Sequence, residues 1–318
     1  MDNLDKFILE TANTLGQGYN DSTFYVFVKD KLKQYVTSLN DNANIVECLL
    51  KQANQMNGKL SSVRFVNLIK TINKHCLYIL AKSYKGDVWA AISRLRSLLG
   101  VQKYTDYKLV DVYANYLKVT IAVDQLLYRC VDRKSCDSPD NCNHTPFNLR
   151  YMATKQRFNQ LGVPCLYLSA SLDCCQQEIG SNVDKDKKRW YGIFKPKKNL
   201  YFLDFSIPNE QDIKSMSVHD KFSFLVTYPL RLLCLSKTKY DDAVFMEEYL
   251  FPQLFFHIAF FSKHEDFPAF DGICYTSMKD RKSLNYVIPA KYNGEEPPLK
   301  GISDFIQSVV TEIETKEL

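Results

Sequence analysis

Apolar residues recur every three or four positions through much of the first 120 residues, which is the period of an amphipathic helix. In the clearest stretch, which begins at Asp21 or Ser22 and ends near Leu39, every fourth residue is apolar: Phe24, Val28, Leu32 and Val36. The same pattern predicts further helices over 43–56, 61–84, 87–99 and 106–116, and Gly100 is a plausible C-cap for the helix that ends at 99. Short polar connections between them indicate a small antiparallel bundle.

After about residue 120 the pattern changes to short apolar runs separated by turn residues, which is typical of strands. The runs are CLYLSAS, YGIFKP, NLYFLDFSIP, GICYTS and NYVIPA. Two helices are predicted in this part, from Asp241 to about Phe261 and from Ile302 to Ile313. Because strands and helices do not alternate regularly, the predicted fold class is α+β, with a domain boundary within 115–128.

Composition excludes a disordered chain, since 46% of the residues are hydrophobic and 13% are aromatic. The net charge is only +5, and residues 1–120 carry 16 Lys and Arg against 10 Asp and Glu. These cations are spread over predicted helices and do not form a run, so we interpret them as solvated helix faces. Nucleic acid is therefore not an expected partner.

No apolar stretch approaches the roughly 20 residues that span a bilayer, so no membrane partner is expected. The N-terminal residues begin acidic, which does not fit a signal peptide. The ten cysteines are therefore interpreted as reduced thiols of a cytoplasmic protein.

One loop contains four potential zinc ligands within fifteen residues: Cys130, Cys136, Cys142 and His144. Tetrahedral zinc sites use such nitrogen and sulfur ligands, but they usually pair two cysteines two to four residues apart. This spacing lacks that pair. The sequence therefore favours a polar loop with incidental cysteines, and no metal is predicted.

The middle of the chain holds a denser group of residues that can carry chemistry. Two arginines precede a predicted strand, a glutamate follows it on a predicted helix, and a later strand presents two hydroxyl side chains. In chain order these are Arg150, Arg157, the strand residue Tyr167, Glu178, Tyr275 and Ser277. Each residue type is common on its own, so their order and spacing carry the information.

The run RFNQLGVPCLYLSASLDCCQQE resembles the central motif of the RES family, which is named for an Arg, a Glu and a Ser. Upstream, LLYRC is similar to the family's first strand, and downstream DGICYTS is similar to its Gly-Ile-x-Tyr-x-Ser element. EEYLFPQLFF and NYVIPA are similar to accessory elements of a larger subgroup. The resemblance covers about residues 125–290. Phe158 replaces the usual Trp of the Arg-Trp-Asn triplet, and Lys-Gln replaces its glycine-rich lead-in.

The resemblance implies a role for several residues. Arg129, Glu178 and Ser277 are the expected catalytic residues, although Arg150 competes with Arg129 because PFNLR is itself a subgroup motif. The expected cofactor-binding residues are Tyr167, Arg157, Tyr275, Arg150 and Asn285. The implied architecture is an all-helical bundle at 1–120 and a catalytic domain at 121–318. That domain would have an ADP-ribosyltransferase-like mixed or antiparallel β-core with flanking helices.

The activity that the resemblance implies is consumption of NAD⁺ by cleavage of its nicotinamide–ribose bond. A carboxylate such as Glu178 can stabilise the oxocarbenium-like ribose that forms as nicotinamide leaves. Arginine can bind the phosphates as a rigid fork, and tyrosine faces can stack on the bases. The acceptor stays open: water gives a glycohydrolase, inorganic phosphate a phosphorylase, and a macromolecule an ADP-ribosyltransferase. Arg157 is the candidate for binding a nucleophilic phosphate.

The resemblance further implies a bacterial toxin or defence enzyme that must be restrained in its own cell. The helical part would then regulate the enzyme, form a homo-oligomer or receive an antitoxin. The alternative from another class is an inactive module whose helical part binds a partner. A broken site would favour that alternative, whereas Arg129, Tyr167, Glu178 and Ser277 are all present.

Overall fold

The computed structural model describes residues 1–53, 61–100, 118–136, 142–180, 186–240, 243–261, 270–292 and 300–318. Their contacts divide the chain into two compact units. Within the described residues, the first unit comprises 1–100 and 207–258, and the second comprises 118–206, 259–261 and 270–318. The helix predicted over 106–116 lies outside the described residues, and a functional boundary at residue 120 stays a prediction.

The described helices are numbered in chain order. They are α1 (Asn3–Asn13), α2 (Phe24–Asp41), α3 (Ala43–Ala53), α4 (Ser62–Tyr84), α5 (Val88–Leu99), α6 (Leu172–Ile179), α7 (Glu210–Ser215), α8 (Val218–Leu235), α9 (Leu250–Phe261) and α10 (Asp304–Val309). None of these helices has the length and apolar character needed to cross a membrane.

The helix ends in the first unit follow from capping residues. The side chain of Ser61 accepts a hydrogen bond from the N–H of Arg64 at the start of α4, and Asp87 caps α5 in the same way. Gly100 has φ of 83° after α5, so the predicted C-cap is confirmed. Helix α2 begins at Phe24, slightly later than predicted, because Thr23 is its N-cap.

Helix α8 is the buried centre of the first unit, and the sequence pattern did not predict it. Every residue from Ser223 to Leu235 is buried, and the helix packs against α3 and α4. Its Pro229 cannot donate to the carbonyl of Leu225 four residues earlier. The buried hydroxyl of Tyr35 donates to that carbonyl oxygen instead, at 2.6 Å.

Two predicted helices are wrong in extent. The helix expected from Asp241 to Phe261 begins only at Leu250, after a 3₁₀ turn at Glu247–Tyr249, and Pro252 lies in its first turn, where a missing N–H costs little. The helix expected to end at Ile313 stops at Val309. The chain continues as a strand because the backbone of VTEIETKE pairs with β4, although its two apolar residues, Val310 and Ile313, do not alternate as in a typical strand.

The second unit is built on one mixed sheet. Its strands are β1 (Lys118–Ile121), β2 (Leu127–Arg133), β3 (Cys165–Ser169), β4 (Lys188–Pro196), β5 (Leu200–Phe205), β6 (Gly272–Thr276), β7 (Leu284–Pro289) and β8 (Val310–Glu317). The order across the sheet is β1-β5-β6-β7-β3-β2-β4-β8. The β5–β6 pair is parallel and the others are antiparallel. Each strand predicted from an apolar run is confirmed, and the fold class is α+β.

Alternation along the central strands separates a core face from a second face. Leu166 and Leu168 of β3 and Tyr286 and Ile288 of β7 belong to the buried apolar cluster. The residues between them therefore point to the opposite face. On that face, Ser169 of β3 lies directly opposite Asn285 of β7, and Asn285 lies opposite Tyr275 of β6.

Candidate active site

Glu178 lies in the last turn of α6, which begins where β3 ends and is capped by Ser171. Its Oε1 atom accepts two hydrogen bonds, from Ser277 Oγ at 2.6 Å and from Asn285 Nδ2 at 2.6 Å. The side chain is otherwise exposed. One carboxylate oxygen is thus fixed by the protein while the group faces solvent.

Ser277 follows β6 and is fully buried. Its Oγ accepts hydrogen bonds from the backbone N–H groups of Lys279 at 3.1 Å and Asp280 at 3.0 Å. Because both lone pairs are occupied, the hydroxyl hydrogen is directed to Glu178. The tight turn after β6 therefore sets the orientation of this serine.

Asn285 is oriented by a second pair of contacts. Its Oδ1 accepts from Ser169 Oγ at 2.7 Å and from Cys174 Sγ at 3.6 Å. With the carbonyl end engaged there, the amide NH₂ group faces Glu178. Cys174 and Ser169 thus support Asn285, and the sequence analysis assigned a role to neither of them. The signal that could have found Ser169 is its spacing of two from Tyr167, which places both on one strand face.

Tyr167 anchors the turn that carries Arg157. Its hydroxyl donates to Asn159 Oδ1 at 2.9 Å and accepts from the N–H of Phe158 at 3.2 Å. The amide of Asn159 reaches back to the carbonyl oxygens of Thr154 and Val163, at 3.1 and 3.0 Å. The Arg-Phe-Asn triplet is therefore a turn closed around one asparagine.

Arg129 lies on β2 two residues from both Leu127 and Val131, so its side chain points to the same core face of the sheet as theirs and away from the face of Ser169 and Asn285. Its Nη1 atom lies 3.4 Å from the carbonyl oxygen of Tyr167, and its Nε atom is buried with no hydrogen-bond partner in the described residues. Burial lowers the pKa of this guanidinium. The structure thus places Arg129 beside β3, the strand that leads into α6.

The remaining candidate residues are distributed around this centre. Arg157 is buried within its turn, and the ring of Phe158 packs against Tyr275 with centroids 5.1 Å apart. Arg150 is exposed on a 3₁₀ helix at Phe147–Met152, where its guanidinium lies 5.7 Å from the centre of the Phe147 ring. Direct side-chain hydrogen bonds join Glu178 to Ser277 and to Asn285.

The cysteine-containing loop uses His144 as a structural residue. The Nε2 atom of His144 accepts from the N–H of Ser303 at 2.8 Å, and Nδ1 lies 2.7 Å from the carbonyl oxygen of Thr145. The ring is fully buried, and burial lowers its pKa to about 4. Both ring nitrogens are occupied in the neutral tautomer. In the described part of the chain, no three His, Cys, Asp or Glu side chains form a group that could hold a metal, and residues 137–141 lie outside that part.

Comparison with known proteins identifies the family of the region after about residue 125, which includes residues 207–258 of the first unit. The RES domain family matches residues 126–299, which is more than half of the chain. A protein of Bacillus subtilis (strain 168) named "Putative toxin YopC" is 27% identical over 172 residues, which is 48% of this chain and 38% of that protein. The chain therefore matches well under half of that relative's length. No solved structure shows significant similarity to the chain.

The region matched by the family runs from the residue before β2 to the residues after β7. It contains Arg129, Glu178 and Ser277, the residues that the sequence analysis matched to the Arg, Glu and Ser of the family name, and also Arg150. This chain belongs to the RES domain family.

Proposed function

We propose that this protein is an NAD⁺-consuming enzyme that breaks the nicotinamide–ribose bond. The observation that carries the proposal is the exposure and hydrogen bonding of the Glu178 carboxylate. It is an exposed carboxylate with one oxygen held by two donors, Ser277 just after β6 and Asn285 on β7. Such an arrangement can present the second oxygen to a substrate in a fixed direction.

Cleavage of the nicotinamide–ribose bond requires a carboxylate of this kind. Nicotinamide leaves as a neutral molecule, so no strong acid is needed, and positive charge develops on the ribose as the bond breaks. Glu178 would stabilise that charge and accept hydrogen bonds from ribose hydroxyl groups. Ser277 and Asn285 would keep it in position without contributing charge.

A buried cation near the Tyr167 strand supports an anionic substrate. The Nζ atom of Lys155 is buried and lacks a hydrogen-bond partner in the described residues, whereas Arg129 points to the core face of the sheet and its Nη1 atom contacts the carbonyl oxygen of Tyr167. A buried cationic group without a partner is unfavourable. The diphosphate of NAD⁺, or inorganic phosphate as the second substrate, would supply the missing acceptor. Arg157, two residues after Lys155, is the proposed ligand of a nucleophilic phosphate.

The printed name of the B. subtilis relative describes a toxin, and we extend that role to this chain. An enzyme that depletes NAD⁺ in the cytoplasm harms its own cell, so it needs restraint. The N-terminal part of the chain, residues 1–120, is the proposed site of that restraint, through a regulatory protein such as an antitoxin or through a second copy.

The test is incubation of the purified protein with NAD⁺, with and without inorganic phosphate, while mass spectrometry follows nicotinamide and the ribosyl product. We expect nicotinamide release by the wild type and none by a folded Glu178→Gln variant. Glu317→Gln, which changes an exposed carboxylate on β8, is the matched control.

Each product identifies a different acceptor for the ADP-ribosyl group. ADP-ribose 1″-phosphate formed only with phosphate identifies a phosphorylase, and free ADP-ribose in both conditions identifies a glycohydrolase. Label from adenine-tagged NAD⁺ on a macromolecule identifies a transferase. Unchanged NAD⁺ in all conditions, including with cell extract, would contradict the proposal, and so would full activity of a folded Glu178→Gln variant.

A further inference from the structure

An open cavity of about 350 Å³ lies beside the beginning of α6, and the proposed bond cleavage does not use it. Its walls come from three adjacent parts of the second unit. They are Tyr128 of β2, Tyr191 and Ile193 of β4, and the residues Ala170, Ser171, Leu172 and Asp173 where β3 passes into α6. None of these side chains had a role in the sequence analysis.

The cavity opens on the sheet face that carries the support of Glu178. Tyr128 lies opposite Ser169 in the antiparallel register, so their side chains point to the same face. Ser169 binds Asn285, and Asn285 binds Glu178. A chain of neighbouring side chains thus connects the cavity to the carboxylate.

Helix α6 sets the separation between the cavity and Glu178. Leu172 lines the cavity at the first turn of the helix, and Glu178 lies six residues later in the last turn. At about 1.5 Å per residue, this is roughly 9 Å along the helix axis. A dinucleotide, whose two bases are separated by two riboses and a diphosphate, is long enough to reach both places.

The lining fits a nucleoside and not a phosphate. Tyr128 and Tyr191 are half-buried, so ring surface is available for stacking, and Ile193 and Leu172 add an apolar wall. Asp173 is an exposed carboxylate that can accept from ribose hydroxyls or from an exocyclic amine. None of the residues that line the cavity is Lys or Arg.

We propose that this cavity binds the adenosine half of NAD⁺, with the adenine stacked on Tyr128 and Tyr191 and a hydroxyl or amino group bound by Asp173. The inference rests on the proposed function, because it places the second half of the same substrate. It makes Tyr128 and Tyr191 specificity-determining residues that distinguish NAD⁺ from nicotinamide mononucleotide, which has no adenosine.

The first experiment measures adenosine binding directly by NMR titration, independently of turnover. Losing a stacking ring weakens binding of a base by about 10- to 100-fold, so Tyr128→Leu should lower the affinity by that factor. Tyr128→Phe keeps the ring and should bind as the wild type does. Tyr201→Leu, which removes a partly exposed tyrosine on β5, is the matched control and should also leave binding unchanged. Tyr191→Leu repeats the test on the other wall, and thermal unfolding confirms that each variant folds.

The second experiment compares substrates. Tyr128→Leu should raise the KM for NAD⁺ about 10- to 100-fold and leave turnover of nicotinamide mononucleotide at the wild-type rate. If the wild type consumes NAD⁺ but a folded Tyr128→Leu variant has an unchanged KM and unchanged adenosine binding, this inference is wrong while the proposed function stands. Absence of NAD⁺ turnover together with Tyr128-dependent adenosine binding would contradict the proposed function and retain the adenosine site. Absence of adenosine binding at millimolar concentration overturns the site.

Discussion

The amide nitrogen of Asn285 lies 2.6 Å from Oε1 of Glu178 and donates a hydrogen bond to it. The two residues lie on different elements, β7 and α6, and the contact depends on the amide being turned with its NH₂ group outward. Ser169 and Cys174 impose that orientation by occupying the carbonyl end. The position of the carboxylate is therefore set by a network and not by its own helix alone.

Replacement of Asn285 by Asp should abolish most of the activity. It changes a donor into a second carboxylate 2.6 Å from the first, and like charges at that distance repel. We expect kcat for NAD⁺ to fall on the order of 100-fold or more, in the range found when one fixed donor is removed from an active site. Steady-state kinetics on a variant of verified fold measures this.

Ser169→Ala gives a graded comparison, because it leaves the amide in place but removes one of the contacts that orient it. Its kcat should lie between those of the wild type and Asn285→Asp. Wild-type kinetics in both variants would show that the network has no part in turnover.

Ser277→Ala should reduce both turnover and stability. The buried Oγ accepts from two backbone N–H groups and donates to Glu178, so its removal leaves the N–H groups of Lys279 and Asp280 without this acceptor. Leaving a buried donor unsatisfied costs about 1–3 kcal/mol, and these two N–H groups are partly buried, so we expect the free energy of unfolding to fall by about 1 kcal/mol or more. Urea titration of the variant measures it, with Ser308→Ala on the exposed side of α10 as the control. A variant as stable as the wild type would refute the expected loss.

Tyr35→Phe tests whether the Tyr35 hydroxyl replaces the hydrogen bond that Pro229 cannot donate within α8. Without the hydroxyl, the buried carbonyl of Leu225 loses its donor, and the free energy of unfolding should fall by about 1–3 kcal/mol. Pro229→Ala restores an N–H that can donate to Leu225. In the Pro229→Ala background, Tyr35→Phe should therefore cost less, and a double-mutant cycle by urea unfolding measures the difference. Strict additivity of the two substitutions would contradict this explanation.

Stability should decline on acidification because of His144. Its folded-state pKa is about 4, against an ordinary value of 6.5, so the unfolded chain binds the proton more tightly. The contribution of neutral His144 is complete above about pH 6.5 and is lost as the pH falls toward 4, by up to about 3 kcal/mol. His144→Gln has no titrating ring, so its free energy of unfolding should change less across this range. If the free energy of unfolding depended on pH in the same way in the variant and the wild type, His144 would be excluded as the source of the acid destabilisation.

The sequence pattern predicted elements that have a clear period and missed those that do not. Helix α8 was missed because it is buried on all sides, so its apolar residues show no clear 3.6-residue period, and the helical spacing is carried by the polar residues Ser223, Thr227 and Arg231. In β8, by contrast, a helical period is present in the sequence but the segment forms a strand. Ile306, Val309, Val310 and Ile313 have helical spacing, but from Val310 onward pairing with β4 determines the structure. Tertiary contacts there outweigh the local pattern.

Prediction of the candidate site from the sequence was limited in a similar way. Glu178, Ser277 and Asn285 were all candidates, but their contact depends on the register in which Ser169 pairs with Asn285. A slip of one residue would turn Asn285 into the apolar core. No pattern within a single strand specifies that register, so the spacing of Ser169 from Tyr167 could show which face they share but not that Ser169 and Cys174 contact Asn285.

The sequence separation of the contacts to Glu178 also has a consequence for synthesis. Ser277 and Asn285 follow it by 99 and 107 residues, so a ribosome has translated roughly another third of the chain before either donor exists. Until β6 and β7 emerge and pair beside β3, the nascent polypeptide carries Glu178 without its supports. Under the proposed function, the nascent chain therefore lacks a supported carboxylate throughout most of its own translation.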